Sequence, residues 1–544
     1  MKIVKCRFAA VLSLLFLSQF SFAQSSDNTN YLLISLIAIG VVLVVWAVIS
    51  LADNLIQIEG KKAGIDPKKT NLGIYPKISS IFSKKAPSYI ESGAGFYAFT
   101  KGHNVKLAGS PKGDIKSMHT SRYALKPTDF NGISPIPKIL VEVGAEVKAG
   151  DPIFYDKKRP EIIYASPISG EVVEVNRGAK RSIANVIILA DKKISYKSYE
   201  VPNIETVDRQ ALKDFLVGSG VWPMFNQRPF DIVADIVEDP RDIFVSTFDT
   251  APLALDQGIV IDGNEAAFQK GCDVLNALTD GSVYLGLDGR GSKAPSEGFT
   301  KVNGVKKNYF YGKHPAGNVG VQIHHVAPIK GNDKVWTLGV QEVITIGKLF
   351  LEGKYDASRL VALVGAQVTE PSIIKTYQGA NIGDLVKGNL SDEKIRIIAG
   401  NVFTGRETTK ENFLSFCDDQ ITVIREGDNY EAFGWLLPIK PRPSISGTFP
   451  NFLFPDFEFE GETNTHGEKR AFVVTGQYES VLPMDVYPQH LMKAIMAGDF
   501  EKMEGLGINE LSEEDVALCE FVCTSKMPLQ KILREGLEMM REQA

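Results

Sequence analysis

A chain of 544 residues is too long for one hydrophobic core, and at roughly 100 to 200 residues per domain it implies about three to four domains. Hydrophobic residues make up 44% and charged residues 23%, a globular balance, while a net charge of −5 and a pI near 5.9 leave no basic field to draw a nucleic-acid backbone, so no nucleic-acid partner is expected. Five cysteines, Cys6, Cys272, Cys417, Cys519 and Cys523, are few and odd in number, which argues against a disulfide framework and for reducing surroundings.

The N-terminus departs from this soluble composition. The basic leader MKIVKCR, the apolar run FAAVLSLLFLSQF and the small residues SFA before Gln24 give residues 1–23 the pattern of a signal peptide. Residues 24–30 form a short periplasmic stretch, and Tyr31 to Leu51 then run for 21 residues without a charge. At ~1.5 Å per residue that is about 31 Å of helix, close to the hydrocarbon thickness of a bilayer. The stretch QSSDNTN has no lysine or arginine, whereas Lys61, Lys62, Lys68, Lys69, Lys77, Lys84 and Lys85 crowd the far side. Basic residues are retained in the cytoplasm, so the expectation is a single-pass protein with a cytoplasmic body. Residues 52–96 read as a basic linker in which Gly64, Pro67, Gly73, Pro76 and Pro87 oppose a stable helix.

Residues 97–205 alternate in short strand-like runs, KILVEV, IIYAS, GEVVEV and NVIILA, broken by Gly, Pro and Asp, the pattern of an all-β unit. Two similar stretches, VEVGAEVKAGDPI and SPISGEVVEVNRGAK, give it a two-fold look like the barrel-sandwich hybrid of lipoyl and biotinyl carriers. In such carriers the modified lysine stands at a hairpin tip. Here DKKRP places Lys157 and Lys158 close to that position, but bulky Arg159 and Pro160 replace the flanks a ligase recognises. The three basic residues read as an exposed docking edge or a solvated turn.

Residues 206–356 alternate strand-like DIFVS, GIVI, SVYLGL and VGVQIHHV with helix-like EAAFQKGCDVLNAL and QEVITIGKLFLEG, which implies a Rossmann-like α/β layer. A flavin or dinucleotide site there needs closely spaced glycines in the first strand-to-helix turn. The best candidate, VGSGVWPMFNQRPF, has Gly218 and Gly220 and then Val221 and Trp222. DGNEAAFQKG reads as a helix start capped by Asp262 or Asn264. His314, His324 and His325 lie together, but neighbours on a strand face opposite ways, so a structural role is expected rather than a metal site.

Residues 357–435 carry RLVALVGAQVTEP, TYQGANIGDLV and RIIAGNVFTG, like a small β-grasp unit. Residues 436–544 carry at 441–470 the Pro-, Gly- and Phe-rich PRPSISGTFPNFLFPDFEFEGETNTHGEKR, read as a partner-contacting loop, and end in helical patterns. Within them CEFVC sets Cys519 and Cys523 four apart. Two thiolates are too few for an iron–sulfur cluster, so buried apolar thiols are expected. No Ser/His/Asp set, Cys/His pair or carboxylate dyad stands out, and no residue is assigned a catalytic, cofactor-binding or metal-ligating role.

The order of parts, a barrel-sandwich hybrid, an α/β domain, a β-grasp unit and C-terminal helices, resembles the NqrA family, the A subunits of the bacterial Na+-translocating NADH:quinone reductases. The matching blocks include VEVGAEVKAGDPIFYDKKRP, GSGVWPMFNQRPF, HPAGNVGVQIH, VWTLGVQEVITIGKLFLEG, FTGRE and EEDVALCEFVC. The family is distantly related to the flavin subunit of complex I and to the C subunit of Rnf-type ferredoxin:NAD oxidoreductases. Against those relatives, Val221 and Trp222 replace a glycine turn, Val319 stands where an acid is expected, and of a cysteine-rich region only Cys519 and Cys523 remain. The resemblance implies a chain without its own cofactor at the bacterial inner membrane. Its partners would be the B to F subunits, which hold the FAD, FMN, riboflavin and iron–sulfur centres that carry electrons from NADH to quinone while Na+ moves outward. The family has been linked with quinone, though no motif here marks a quinone pocket. The resemblance starts near Val105, so the first 95 residues are an addition to the family pattern. An Rnf-type electron-transfer subunit and a lipoyl or biotinyl carrier remain the alternatives.

Overall fold

The computed structural model describes residues 31–62, 84–112, 115–391, 393–431, 433, 441–445 and 451–543. It divides into two units, Met1–Lys85 and Ala86–Ala544. The signal-like residues 1–23, the stretch 24–30 and the lysines between 63 and 83 lie outside the described residues.

In the first unit, helix α1 spans Tyr31–Lys62. Within it Leu33–Gly60, 28 residues with an 18-residue window of mean hydropathy 2.8, is long and apolar enough to cross a membrane, at about 42 Å against a hydrocarbon core of about 30 Å. Leu36, Val42, Trp46 and Leu51 are all exposed on it, as lipid-facing side chains would be. The sequence pattern ends the apolar run at Leu51, but the helix continues to Lys62, because Ala52–Lys62 holds no proline and the backbone satisfies its own hydrogen bonds whether the side chains are apolar or not.

The second unit opens with two short strands, β1 (Gly95–Ala98) and β2 (Ile115–Ser117), which complete sheets built further along the chain. After them come β3 (Arg122–Leu125), β4 (Lys138–Ile139), β5 (Glu146–Val147), β6 (Pro152–Asp156), β7 (Arg159–Ala165), β8 (Gly170–Arg177) and β9 (Ile183–Ala190). They form a four-stranded sheet, order β3-β9-β8-β5, and a three-stranded sheet, order β4-β6-β7. Alternation sets the faces: in β8, Gly170 and Val172 are buried while Glu171 between them is exposed. Ile153, Phe154, Ile162, Tyr164, Val186 and Ile188 fill the core between.

Next come α2 (Arg209–Gly218), β10 (Asn226–Arg228), β11 (Ile232–Val233), β12 (Asp242–Ser246), α3 (Gln257–Ile261), α4 (Glu265–Ala277), β13 (Val283–Asp288), β14 (Lys306–Tyr311), α5 (Val319–Val326), β15 (Val335–Leu338) and α6 (Val340–Glu352). Their sheet has the order β1-β14-β13-β12-β15-β10-β11, with β1 to β15 along that order parallel and β10 and β11 antiparallel at one edge. Strand β1 thus belongs to the α/β layer, although it precedes the barrel-sandwich strands in the chain. Two runs expected as strands are helices. GIVI lies in α3, whose start is fixed by the Asp256 side chain accepting from the Gly258 N–H. VGVQIHHV is α5, with Val321 and Ile323 buried. Apolar runs this short carry no period that separates helix from strand, and both fall between parallel strands, where the crossover needs a helix.

The last part holds β16 (Ser358–Val364), β17 (Ser372–Tyr377), β18 (Ile395–Ala399), β19 (Arg406–Thr408) and β20 (Gln420–Arg425) in a mixed sheet of order β19-β18-β20-β16-β17-β2. Helices follow: α7 (Gln477–Val481), α8 (Pro488–Ala497), α9 (Phe500–Gly505), α10 (Glu513–Val522) and α11 (Leu529–Gln543). They pack around Leu491, Met492, Met503, Val516, Leu533 and Leu537. On α11 the buried Leu529, Ile532, Leu533 and Leu537 recur at the spacing of one helical face.

Candidate functional site

From β12 the chain adds β13 and β14 on one side and then returns to lay β15 on the other. The strand order therefore reverses between β12 and β15, and in open α/β sheets ligands bind outside the carboxyl ends of the strands at that point. A cavity of about 570 Å³ lies there. Ser246 lines it from the end of β12 and Asp249 from the turn that follows, Leu338 and Gly339 from the end of β15, and Glu514 and Arg534 from the C-terminal helices.

The turn after β12 reads TFDTAPLALD, residues 247–256. It has no glycine, and Asp249 lines the cavity, so the turn offers no close row of N–H groups to a phosphate. The other place for an anion is the N-terminus of α5, where unpaired N–H groups and the helix dipole favour negative charge. Protein carboxylates already take it. A Cβ built on Gly320 would lie 2.3 Å from Asp515 Oδ2, so the Asp515 carboxylate sits against the first turn of α5. Asp515 is wholly buried and accepts from Ser512 N at 2.9 Å, Ser512 Oγ at 3.1 Å and Arg228 Nη1 at 3.0 Å. Arg228 Nη2 also donates to Glu514 at 2.8 Å, and Asn318 Nδ2 donates to the Glu514 carbonyl at 2.9 Å. A flavin or dinucleotide phosphate would have to displace this network and meet Asp515 and Glu514, and the residues present do not fit it.

His314 lines the same cavity, only 3% exposed. Its Nδ1 lies 3.1 Å from Thr250 Oγ1, which itself accepts from Gly317 N–H at 3.1 Å. The hydroxyl proton is therefore free to point at Nδ1, which leaves Nε2 carrying the ring proton, with no partner among the described residues. The ring stacks on Phe403 at 4.9 Å, and burial pulls its pKa down to about 4, so the imidazole is neutral at physiological pH.

His324 and His325 stand on a helix rather than the expected strand, so they are neighbours on one turn, and both grip the C-terminal region. His324 Nδ1 lies 2.6 Å from Glu510 and its Nε2 accepts from Asp485 N–H at 3.0 Å. His325 Nε2 lies 2.7 Å from the Pro483 carbonyl and its ring packs on Phe99 at 4.6 Å.

The glycine pair of VGSGVWPMF is not in a nucleotide turn. Gly218 ends α2, and Gly220 has φ +76° and lies so close to the barrel sandwich that a Cβ would meet Ala165 Cβ at 2.4 Å. Trp222 is fully buried, with its indole N–H on the Ala234 carbonyl at 2.9 Å and its ring edge-on to Trp336 at 5.3 Å. Asn264, not Asp262, takes the cap position of α4.

Lys157 and Lys158 form the two-residue tip between paired Asp156 and Arg159, and both are exposed. The buried Asp156 carboxylate braces this turn by accepting from Ser134 N–H at 3.2 Å and Lys158 N–H at 3.1 Å. Arg159, expected to share the exposed edge, turns inward: its Nη1 donates to the Val233 carbonyl at 2.8 Å and its Nε pairs with Asp156 at 3.5 Å. A guanidinium can satisfy a carboxylate and a carbonyl together, which an ammonium at the tip cannot reach. Cys519 and Cys523 are buried, with the Cys523 thiol 2.8 Å from the Tyr478 hydroxyl, and desolvation raises the Cys519 pKa well above the usual thiol range. Arg228 and Asp515 escape sequence reasoning. Ser512 and Asp515 carry a legible signal, the S-x-x-D spacing of a capping box, but their pairing with an arginine 287 residues away leaves no local trace.

Three family models match the chain: the NqrA N-terminal barrel-sandwich hybrid domain over residues 98–191, the NqrA second alpha/beta domain over 207–355 and the NQRA C-terminal domain over 360–410. Among curated relatives, the A subunit of the Na(+)-translocating NADH-quinone reductase of Vibrio atlanticus is 37% identical over 449 residues, covering 81% of this chain and 99% of its own length. Its counterpart from Alcanivorax borkumensis is 39% identical over 444 residues, 80% of this chain and 97% of its own. That of Saccharophagus degradans is 38% identical over 447 residues, 81% and 99%. With relatives this similar matched over nearly their whole length, the chain belongs to the NqrA family, the A subunits of the Na+-translocating NADH-quinone reductases.

Proposed function

We propose that this chain serves as the NqrA component of a complex in which NADH oxidation by quinone drives Na+ export, and that its own part is assembly and docking without a bound redox cofactor. The observation that carries the second half is the Asp515 carboxylate against the first turn of α5, where a cofactor phosphate would otherwise sit. Electron transfer then falls to the B to F subunits. Helix α1 is the anchor, a single pass through the inner membrane, with the lysines that follow it holding the body on the cytoplasmic side. The six-stranded mixed sheet serves as the β-grasp unit between the α/β layer and the C-terminal helices.

The test is affinity purification of the tagged chain from detergent-solubilised membranes. The expected result is copurification with NADH dehydrogenase activity and membrane subunits, while the chain alone, after subunit dissociation, shows no flavin absorbance, no iron and an unmodified mass at Lys157 and Lys158. Iron in the isolated chain favours the Rnf-type reading, and added mass on either lysine favours the carrier reading. A chain recovered alone ends the proposal.

A further inference from the structure

The loop leading to the C-terminal helices holds a ridge of apolar side chains out in solvent. Every residue from Leu453 to Glu458, LFPDFE, is exposed, with Leu453 and Phe454 at 61% and Phe457 at 44%. Two successive turns gather them, Phe454 N–H donating to the Asn451 carbonyl at 3.1 Å and Phe457 N–H to the Phe454 carbonyl at 3.2 Å. The ridge is fastened at both ends. Asn451 Nδ2 donates to the carbonyls of Arg442 and Ser444 at 2.9 and 3.0 Å. Beyond it, buried Phe459 exchanges backbone bonds with the chain around Leu107, Phe459 N–H to the Lys106 carbonyl and Ala108 N–H to the Phe459 carbonyl, both 2.9 Å, and the Phe457 ring rests edge-on against Phe459 at 5.0 Å. Large apolar groups grouped and held in water are a mark of an interaction site.

The charges around the ridge choose its occupant. Asp456, Glu458 and Glu460 alternate with the aromatic residues. Lys106 and Arg425 pair with Asp456 and Glu460 at the rim, and Glu458 has no salt-bridge partner among the described residues. An anionic lipid leaflet repels such a ridge, and a second copy would set acid against acid. The cytoplasmic loops of integral membrane proteins are instead enriched in lysine and arginine. We propose that Leu453, Phe454 and Phe457 dock into an apolar pocket on the cytoplasmic side of an integral membrane subunit, with lysines or arginines of that subunit facing Asp456 and Glu458. This rests on the reading of the chain as part of a membrane complex and names the surface that joins it.

The experiment uses the full chain expressed with its partners and carrying Leu453→Ser, Phe454→Ser and Phe457→Ser together. Leu453 and Phe454 are mostly exposed and only Phe457 gives up a ring contact, with Phe459, so the thermal unfolding of the variant falls slightly at most, while the membrane subunits recovered with it after detergent extraction fall by about tenfold, the scale of losing a few interface anchors. Asp456→Lys with Glu458→Lys, which leaves the apolar residues intact, lowers recovery in the same direction and stands in if the triple variant does not fold. A photo-crosslinking phenylalanine at position 454 yields an adduct with an integral membrane subunit. Undiminished recovery in both variants, or an adduct with lipid or with a second copy, overturns the proposal. Wild-type chain that recovers no membrane subunit at all overturns the reading of the chain as part of a complex instead, which separates the two failures.

Discussion

Asp515 does two things with one carboxylate: it caps α10 through Ser512 and neutralises Arg228, whose side chain is only 3% exposed. Removing Asp515 strips this cap and leaves buried Arg228 with Glu514 as its close carboxylate, so the cost is at most the ~3–5 kcal/mol of breaking a buried pair outright. Asp515→Ala therefore lowers the stability of the C-terminal helical region by up to that much in urea unfolding. Glu514→Ala costs less than half as much, because the Glu514 side chain is 40% exposed and water screens its bond to Arg228. His314 gives a test of the opposite kind. Its folded pKa, about 4, is below the ordinary 6.5, so between those values the unfolded chain binds a proton that the folded chain refuses. Stability is complete above pH 6.5 and falls as pH drops through that window, by up to about 3 kcal/mol at its lower end. His314→Asn cannot titrate, so the difference between variant and wild type should change with pH between about 7 and 4.5 and be flat above about 7; a constant difference refutes the assignment. At this scale the sequence was partly readable. The burial of Cys519 and Cys523 was legible from the apolar residues around them, whereas Arg159 and Arg228 found partners far along the chain that no local pattern encodes.

Helices α4 and α6 cross on the sheet at two glycines. A Cβ on Gly271 would meet the Val343 carbonyl at 2.3 Å, and one on Gly347 would meet the Ala267 carbonyl at 1.7 Å. Neither contact can be relieved by rotating a side chain, since the obstacle is backbone in both cases. Gly347→Ala must therefore push the helices apart and disturb Val274, Leu275, Val343 and Ile346 beneath them, at a cost of about 1–3 kcal/mol or more. Gly218→Ala, at the end of α2 with open space around it, is the control and should be neutral or slightly stabilising in thermal unfolding. Both helices were legible from their apolar spacing, as were β12, β13, β8 and β9. The failures, α3 and α5, are short crossovers whose type is set by the parallel strands on either side. The alternation that reveals a strand and the period that reveals a helix each need more residues than these segments have.

Across the whole molecule, the body and the N-terminal helix answer to different constraints. The relative from Vibrio atlanticus is matched over 99% of its length by 449 of the 544 residues here, and the family match opens at residue 98. What the family shares is therefore carried by Ala86–Ala544, a unit with its own hydrophobic cores, while α1 is a helix long and apolar enough to cross a membrane. The proposed anchor and the proposed docking ridge would then hold the chain at the membrane independently, and for two linked attachments the second becomes nearly intramolecular, so losing one weakens the whole without abolishing it. Deleting residues 1–62 should leave the thermal unfolding of the body unchanged and leave it bound to membranes that contain its partners. In membranes without those partners the deleted chain should wash off, whereas the full chain should stay. Fractionation of the two chains in the two membrane backgrounds measures all four states. If the deleted chain washes off even where the partners are present, the anchor is a requirement for assembly rather than a second attachment.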